Sequence, residues 1–133
     1  MPPRLIYTGI RVKDMDESLA FYTEILGMEV VEKRVKTPPT EGEVATLRSH
    51  DSEQLLELNW YKEGSRFGTS YENGSEVDHL GFDVENLSEW IGSLEKKGVR
   101  ILVRPGEIGA ELGWNEAYIE DPNGIWIEFL QRR

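Results

Sequence analysis

Four side chains in this 133-residue chain join a type that can handle metal ions or protons to a spacing that pairs them: Tyr7, Glu57, His79 and Glu128. Tyr7 and His79 are 72 residues apart, and Glu57 and Glu128 are 71 apart (79 − 7 and 128 − 57). A duplicated chain therefore places them as two equivalent pairs. Leu56 and Leu58 flank Glu57, and Ile127 and Phe129 flank Glu128. Alternate side chains of a strand point to opposite faces, so each carboxylate faces away from an apolar pair. Such a carboxylate is costly unless it is solvated, paired or metal-bound. Glu57, His79 and Glu128 together form a one-histidine, two-carboxylate set suited to a hard or borderline divalent cation. Tyr7 is expected on the same face. A phenol with a pKa of about 10 must lose its proton to ligate well, at roughly 4 kcal/mol near neutral pH, so Tyr7 is expected to act through a metal-bound water.

The elements that must position these residues occur twice. Leu5–Val12 alternates as a strand does, and a helix opens at Asp14. Its apolar residues Leu19, Phe21, Tyr22, Ile25 and Leu26 share a face, and Gly27 closes it. Val77–Val84 alternates again. Asn86 and Glu89 have the spacing of a capping box, Trp90, Ile91 and Leu94 form the buried stripe, and Gly98 closes the second helix. Gly9 aligns with Gly81 and Val12 with Val84. Three strand-like runs follow each helix, and the last two form a hairpin around Ser49–Ser52 in one half and Glu120–Asn123 in the other. The expected fold is α+β, with two tandem βαβββ modules: module 1 over about residues 5–60, a Gly, Ser, Glu and Asn-rich linker over 61–76, and module 2 over about 77–131. Modules of about 60 residues are too small to bury a full core alone, so they are expected to share one domain.

Composition narrows the chemistry. There is no cysteine, which removes disulfides and thiolate ligands. A net charge of −10 repels phosphate backbones and argues for a small-molecule ligand over nucleic acid. No apolar run reaches the roughly 20 residues of a membrane span, so neither membrane insertion nor export is expected, and the cytoplasm is the expected compartment. His50, in a hairpin turn, is expected at the surface. Trp60, Trp114 and Trp126 are candidates to line a pocket.

The segments Arg11-Val12-Lys13-Asp14, Ser18-Leu19-Ala20-Phe21-Tyr22, Ile25-Leu26-Gly27-Met28, Leu56-Glu57-Leu58, Asp78-His79-Leu80-Gly81-Phe82 and Glu120-Asp121-Pro122-Asn123-Gly124-Ile125-Trp126-Ile127-Glu128 occur in that order. Together they resemble the vicinal oxygen chelate superfamily, and within it glyoxalase I. The resemblance implies that each module is a curved half-barrel with its helix outside, usually completed in a homodimer. It implies a divalent metal (nickel, zinc, cobalt or manganese) on residues matching Glu57, His79 and Glu128. It also implies lyase or isomerase chemistry on a hemithioacetal, with Glu128 as the favoured base and Glu57 as the second catalytic carboxylate. Arg11 matches a family arginine. Arg11, Asn59, Tyr61 and Trp114 are the expected substrate contacts. Three departures bear on the substrate: Tyr7 replaces the usual first His or Gln ligand, Tyr61 replaces a glutathione-binding Asn, and the Pro105–Gly113 loop carries Glu107 and Glu111 in place of a basic residue. These disfavour an anionic tripeptide. Alternatives on the same scaffold are an epimerase and a metal-free acidic binding protein of the bleomycin-resistance kind.

Replacing Tyr7 by His supplies a neutral lone pair near pH 7, so Tyr7→His is expected to tighten nickel binding more than tenfold. Calorimetric titration of both forms checks this, and equal or weaker binding by the variant contradicts it.

Overall fold

The computed structural model describes residues 6–36, 41–65, 68, 71, 72, 77, 79–108, 110, 113 and 115–131. The chain forms two compact units, Met1–Glu72 and Asn73–Arg133. The boundary falls inside the segment read from the sequence as a linker.

In the first unit, β1 (Thr8–Arg11) leads to α1 (Met15–Ala20), a π-helical turn (Phe21–Ile25), β2 (Glu29–Lys36), β3 (Gly42–Arg48) and β4 (Leu55–Tyr61). The sheet order is β1-β4-β3-β2, with β1 parallel to β4 and the other pairs antiparallel. Asp14 caps α1 by accepting a hydrogen bond from the Glu17 amide at 2.8 Å. The expected helix starts there and stops at Gly27 (φ 71°), but it is not α-helical throughout. The Leu26 amide reaches back five residues to the Phe21 carbonyl at 3.2 Å, the widened spacing of a π turn. Thr23 Oγ1 also donates to the Leu19 carbonyl at 2.7 Å. Tyr22 of this turn is completely buried, alongside Met15 and Ser18 of α1. Ile10, Val12, Leu47, Leu56 and Leu58 are buried with them. The first strand is shorter than its alternation suggests: Tyr7 precedes β1, and Leu5 lies outside the described residues.

In the second unit, β5 (His79–Val84) is followed by α2 (Leu87–Lys96), β6 (Glu116–Glu120) and β7 (Trp126–Gln131), in the order β5-β7-β6. β5 and β7 are parallel, and β6 and β7 are antiparallel. Asn86 caps α2 through the Glu89 amide at 3.1 Å. Leu87, Ile91 and Leu94 are buried, as are Ala117, Ile119, Ile127 and Phe129 on the sheet. The Trp90 ring meets Phe129 edge-on at 5.5 Å between centroids. Gly98, at φ 80°, supplies the left-handed residue that ends the helix.

One expectation of the βαβββ pattern is corrected here. The first of the three strands after α2 contracts to a single antiparallel bridge between Val103 and Tyr118. Pro105 has no amide to continue a ladder, and Gly106 (φ 83°) turns the chain away. The hairpin that follows is as expected. Asp121 holds it by accepting from the amides of Asn123 and Ile125, each at 2.8 Å.

The duplication extends to strand register. Gly9 of β1 lies opposite Glu57 of β4, and Gly81 of β5 lies opposite Glu128 of β7. In each unit a residue without a side chain therefore faces the carboxylate across a parallel pair.

Phe129 is 1% exposed and packs on Trp90 and Phe82. Phe129→Ala is expected to cost about 3–5 kcal/mol in urea unfolding. A loss below about 1 kcal/mol would show that the helix does not rest on this ring.

Candidate functional site

The face of the β5-β7-β6 sheet opposite the helix-covered residues carries His79, Tyr118, Trp126 and Glu128. His79 heads β5. Glu128 lies on β7, directly across from Tyr118 of β6. His79 Nε2 and Glu128 Oε2 are 3.4 Å apart. The Tyr118 hydroxyl donates a hydrogen bond to the same carboxylate oxygen. The Tyr118 ring stands edge-on to His79, with centroids 6.0 Å apart, and to Trp126, with centroids 5.7 Å apart. The His79 side chain is 37% exposed and that of Glu128 only 11%. The imidazole thus opens to solvent while the carboxylate is held beneath it. Among the described residues, a Cβ built on Gly81, across from Glu128, would meet nothing within 4 Å.

Glu116 is buried two residues before Tyr118 on β6. Burial pushes its carboxyl above the usual range, and the nearby Glu128 charge pushes it further. His79 and a hydrogen bond with Tyr118 pull the other way. Neither Glu116 nor Tyr118 was singled out from the sequence. The signal was present: once the hairpin pairs Glu120 with Trp126, strand parity puts Tyr118 beside Glu128.

The first unit brings together Tyr7, Glu57 and Asn59 above Gly9. A Cβ built on that glycine would lie 3.5 Å from Asn59 Nδ2, 3.9 Å from Glu57 Oε1 and 3.9 Å from Tyr7 Cε2. Asn59 is buried, and its amide also reaches the Ile10 carbonyl at 3.5 Å. The Arg11 guanidinium lies 5.9 Å from the centroid of the Tyr61 ring and 5.6 Å from that of Tyr71, while Lys13 Nζ lies 6.0 Å from the latter. Tyr71, inside the segment read as a linker, is a further residue that sequence reasoning missed. Its signal was weak, because no periodicity places it. Trp114, Glu111 and Asp78 lie outside the described residues. Glu107 is exposed and accepts a hydrogen bond from the Arg104 amide. His50 is exposed, as expected, and lies 3.3 Å from Asp51.

Among the described residues, no three His, Asp or Glu side chains form a complete cation site. His79 and Glu128 supply two donors. Nitrogen and oxygen ligands sit about 2.0–2.2 Å from a zinc-like ion, which places neighbouring donors roughly 3.0–3.5 Å apart. The 3.4 Å separation suits such a pair, and imidazole with carboxylate suits a borderline cation.

The family model of the Glyoxalase/Bleomycin resistance protein/Dioxygenase superfamily matches residues 4–129. The chain belongs to this superfamily. A probable lactoylglutathione lyase of Synechocystis is 34% identical over 96% of this chain and 94% of its own length. A probable chloroplastic lactoylglutathione lyase of Arabidopsis thaliana is 32% identical over 97% of this chain, which spans 36% of that relative. The Leishmania major glyoxalase I structure, described as trypanothione-dependent, superposes with a TM-score of 0.75 at 32% identity, covering 98% of this chain and 87% of that one. The α+β fold read from the two modules is the glyoxalase fold, and the duplicated register above lies within it. No helix among the described residues is long and apolar enough to cross a membrane.

Because the Glu116 carboxyl sits above its unfolded value, its protonated form favours the folded state. That contribution is complete below the unfolded value of about 4.3 and is lost as pH rises through the folded one. Glu116→Gln is therefore expected to raise the urea midpoint of metal-free protein near pH 7, with the gain shrinking towards about pH 4. A gain that grows on acidification contradicts the assignment.

Proposed function

We propose that the chain is a glyoxalase I-like lyase that isomerises the hemithioacetal of a 2-oxoaldehyde and a thiol to a 2-hydroxyacyl thioester. The observation that carries this reading is the His79–Glu128 pair, 3.4 Å apart on the sheet face away from the helix, with Glu57 at the matching register of the first unit. The lactoylglutathione lyase names of relatives covered over nearly their whole length support it.

His79, Glu128 and Glu57 are the residues that would hold a divalent cation, of which nickel, zinc, cobalt and manganese suit the donor set, and Tyr7 would act on it through water. When bound, such an ion supplies positive charge that stabilises the enediolate oxygens. The protein's own carboxylates move the proton. A carboxylate takes the proton from the carbon bearing hydroxyl and sulfur, and the electron pair shifts toward the neighbouring carbonyl. The same proton is then returned to that neighbouring carbon, so no oxidant or reductant is consumed.

Arg11, Asn59, Tyr61 and Trp114 are the substrate contacts in this reading. The net charge of −10 and the exposed carboxylate of Glu107 disfavour the two carboxylates of glutathione. A relative that uses trypanothione puts another thiol within the range of the fold. The active form in this reading is a cytoplasmic homodimer.

Purified protein is expected to bind nickel or zinc, and Glu57→Ala, His79→Ala and Glu128→Ala each to weaken binding at least tenfold with unchanged circular dichroism. Light scattering is expected to give twice the chain mass. Methylglyoxal hemithioacetals of trypanothione are expected to turn over faster than those of glutathione. A wild-type protein with no affinity for either ion would remove the metal-dependent reading.

A further inference from the structure

Strand β2 closes one edge of the first unit's sheet, and among the described residues nothing pairs with its outer side. An open edge is a template for another strand, which proteins ordinarily blunt by keeping the strand short, charging it or bulging it. At eight residues β2 is not short. Three of its side chains are exposed hydrocarbon: Val30 at 45%, Val31 at 50% and Val35 at 74%. Lys33, near its centre, lies 3.9 Å from Asp16 and 3.9 Å from Glu43, so its charge is answered within its own chain.

The register makes this edge complementary to itself. Pairing to β3 runs from Val30 with Leu47 to Glu32 with Thr46, so Val31 is the extra residue of a bulge. Cross-strand partners share a face. Leu47, Ala45 and Glu43 therefore set Val30, Lys33 and Val35 on one face, and Thr46 and Val44 set Glu32 and Arg34 on the other. With Val31 set aside, the faces alternate evenly about Lys33. A second β2 laid antiparallel along the edge, on a twofold axis through Lys33, brings like faces together at each of these positions. Val30 meets Val35 of the second copy, and Glu32 meets its Arg34. Glu32 and Arg34 are already 3.3 Å apart within one strand, so the four charges close into an alternating ring.

We propose that β2 is a self-association edge, at which two copies of the chain pair antiparallel about Lys33 and join their four-stranded sheets into one. Main-chain hydrogen bonds supply the attraction for an added strand, while the charge ring and the paired valines select this partner and this register. Lys33 meets its own copy on the axis, where Asp16 and Glu43 of each chain offset the two like charges. An unrelated extended peptide would gain the main-chain bonds without these side-chain matches. The contact needs neither a metal nor the lyase reading.

Charge reversal at two exposed positions tests this. Glu32→Arg makes the ring wholly positive, and Arg34→Glu makes it wholly negative. Each is expected to halve the mass found by light scattering at high micromolar protein, with unchanged circular dichroism, and an equimolar mixture of the two is expected to restore it. Because the chain has no cysteine, Lys33→Cys introduces a single thiol. Cross-strand Cα atoms about 4.5–5.5 Å apart are within disulfide reach. Oxidation is expected to link Lys33→Cys into dimers at least about tenfold faster than Val35→Cys, whose thiols in this register are offset by roughly 13 Å along the strands. Equal linking at the two positions overturns the proposal. If both charge variants keep twice the chain mass, the homodimer proposed above uses another surface and β2 is not its edge. A wild-type protein of one chain mass at this concentration removes both.

Discussion

A carboxylate on a strand whose other face is hydrocarbon core has two acceptable fates, solvation or partnership, and Glu128 has been given the second. With only 11% of its side chain exposed, it needs donors. The parallel pairing of β5 with β7 places bare backbone on one side of it, and the hairpin with β6 places a phenol on the other. Much else in the second unit follows from keeping that arrangement. Asp121 fixes the hairpin turn and so the register that sets Tyr118 across from Glu128. The Val103 bridge holds the backbone of Tyr118 from the far side. Ile127 and Phe129, on either side of Glu128 in sequence, anchor β7 to the helix-covered core.

The first unit meets the same constraint less tightly. Glu57 also lies across from a glycine, but the opposing β3 residue is Thr46, and the carboxylate stays half-buried. Tyr7 and Asn59 converge over Gly9, and Arg11 lies over two tyrosine rings. Two copies of one topology thus present different chemistry, because the side chains differ while the backbone register is shared. One surrounds its carboxylate with a rigid hydrogen bond. The other sets its carboxylate, the Asn59 amide and the Tyr7 ring over a glycine.

Membership in a superfamily that includes lyases, drug-binding proteins and dioxygenases does not by itself choose among those activities. The lyase reading proposed above rests on the donors, His79 and Glu128 lying 3.4 Å apart. The chain also carries a tyrosine where the second unit carries His79, so the donor set differs from a two-histidine, one-carboxylate arrangement.

Much of the fold was legible in the sequence, because its determinants are local and repeated. Strand alternation, the caps at Asp14 and Asn86, and the glycines at 27 and 98 act over a few residues, and the 71–72 residue offset exposed the equivalence of Glu57 with Glu128. The superfamily itself was legible from ordered motifs. The shortened strand at Val103 and the π turn at Phe21–Ile25 were not, since both arise from competition between nearly equal hydrogen-bonding schemes that packing settles. The sequence alone determined that Glu57 and Glu128 stand at matching places on their strands, and the register sets each across from a glycine. Only the tertiary structure decided that Tyr118 and Glu116 belong beside Glu128, and that Tyr71 belongs beside Arg11. Those contacts depend on hairpin register and on a loop without periodicity, and the energy of a cross-strand hydrogen bond is not written in the spacing of the residues that make it.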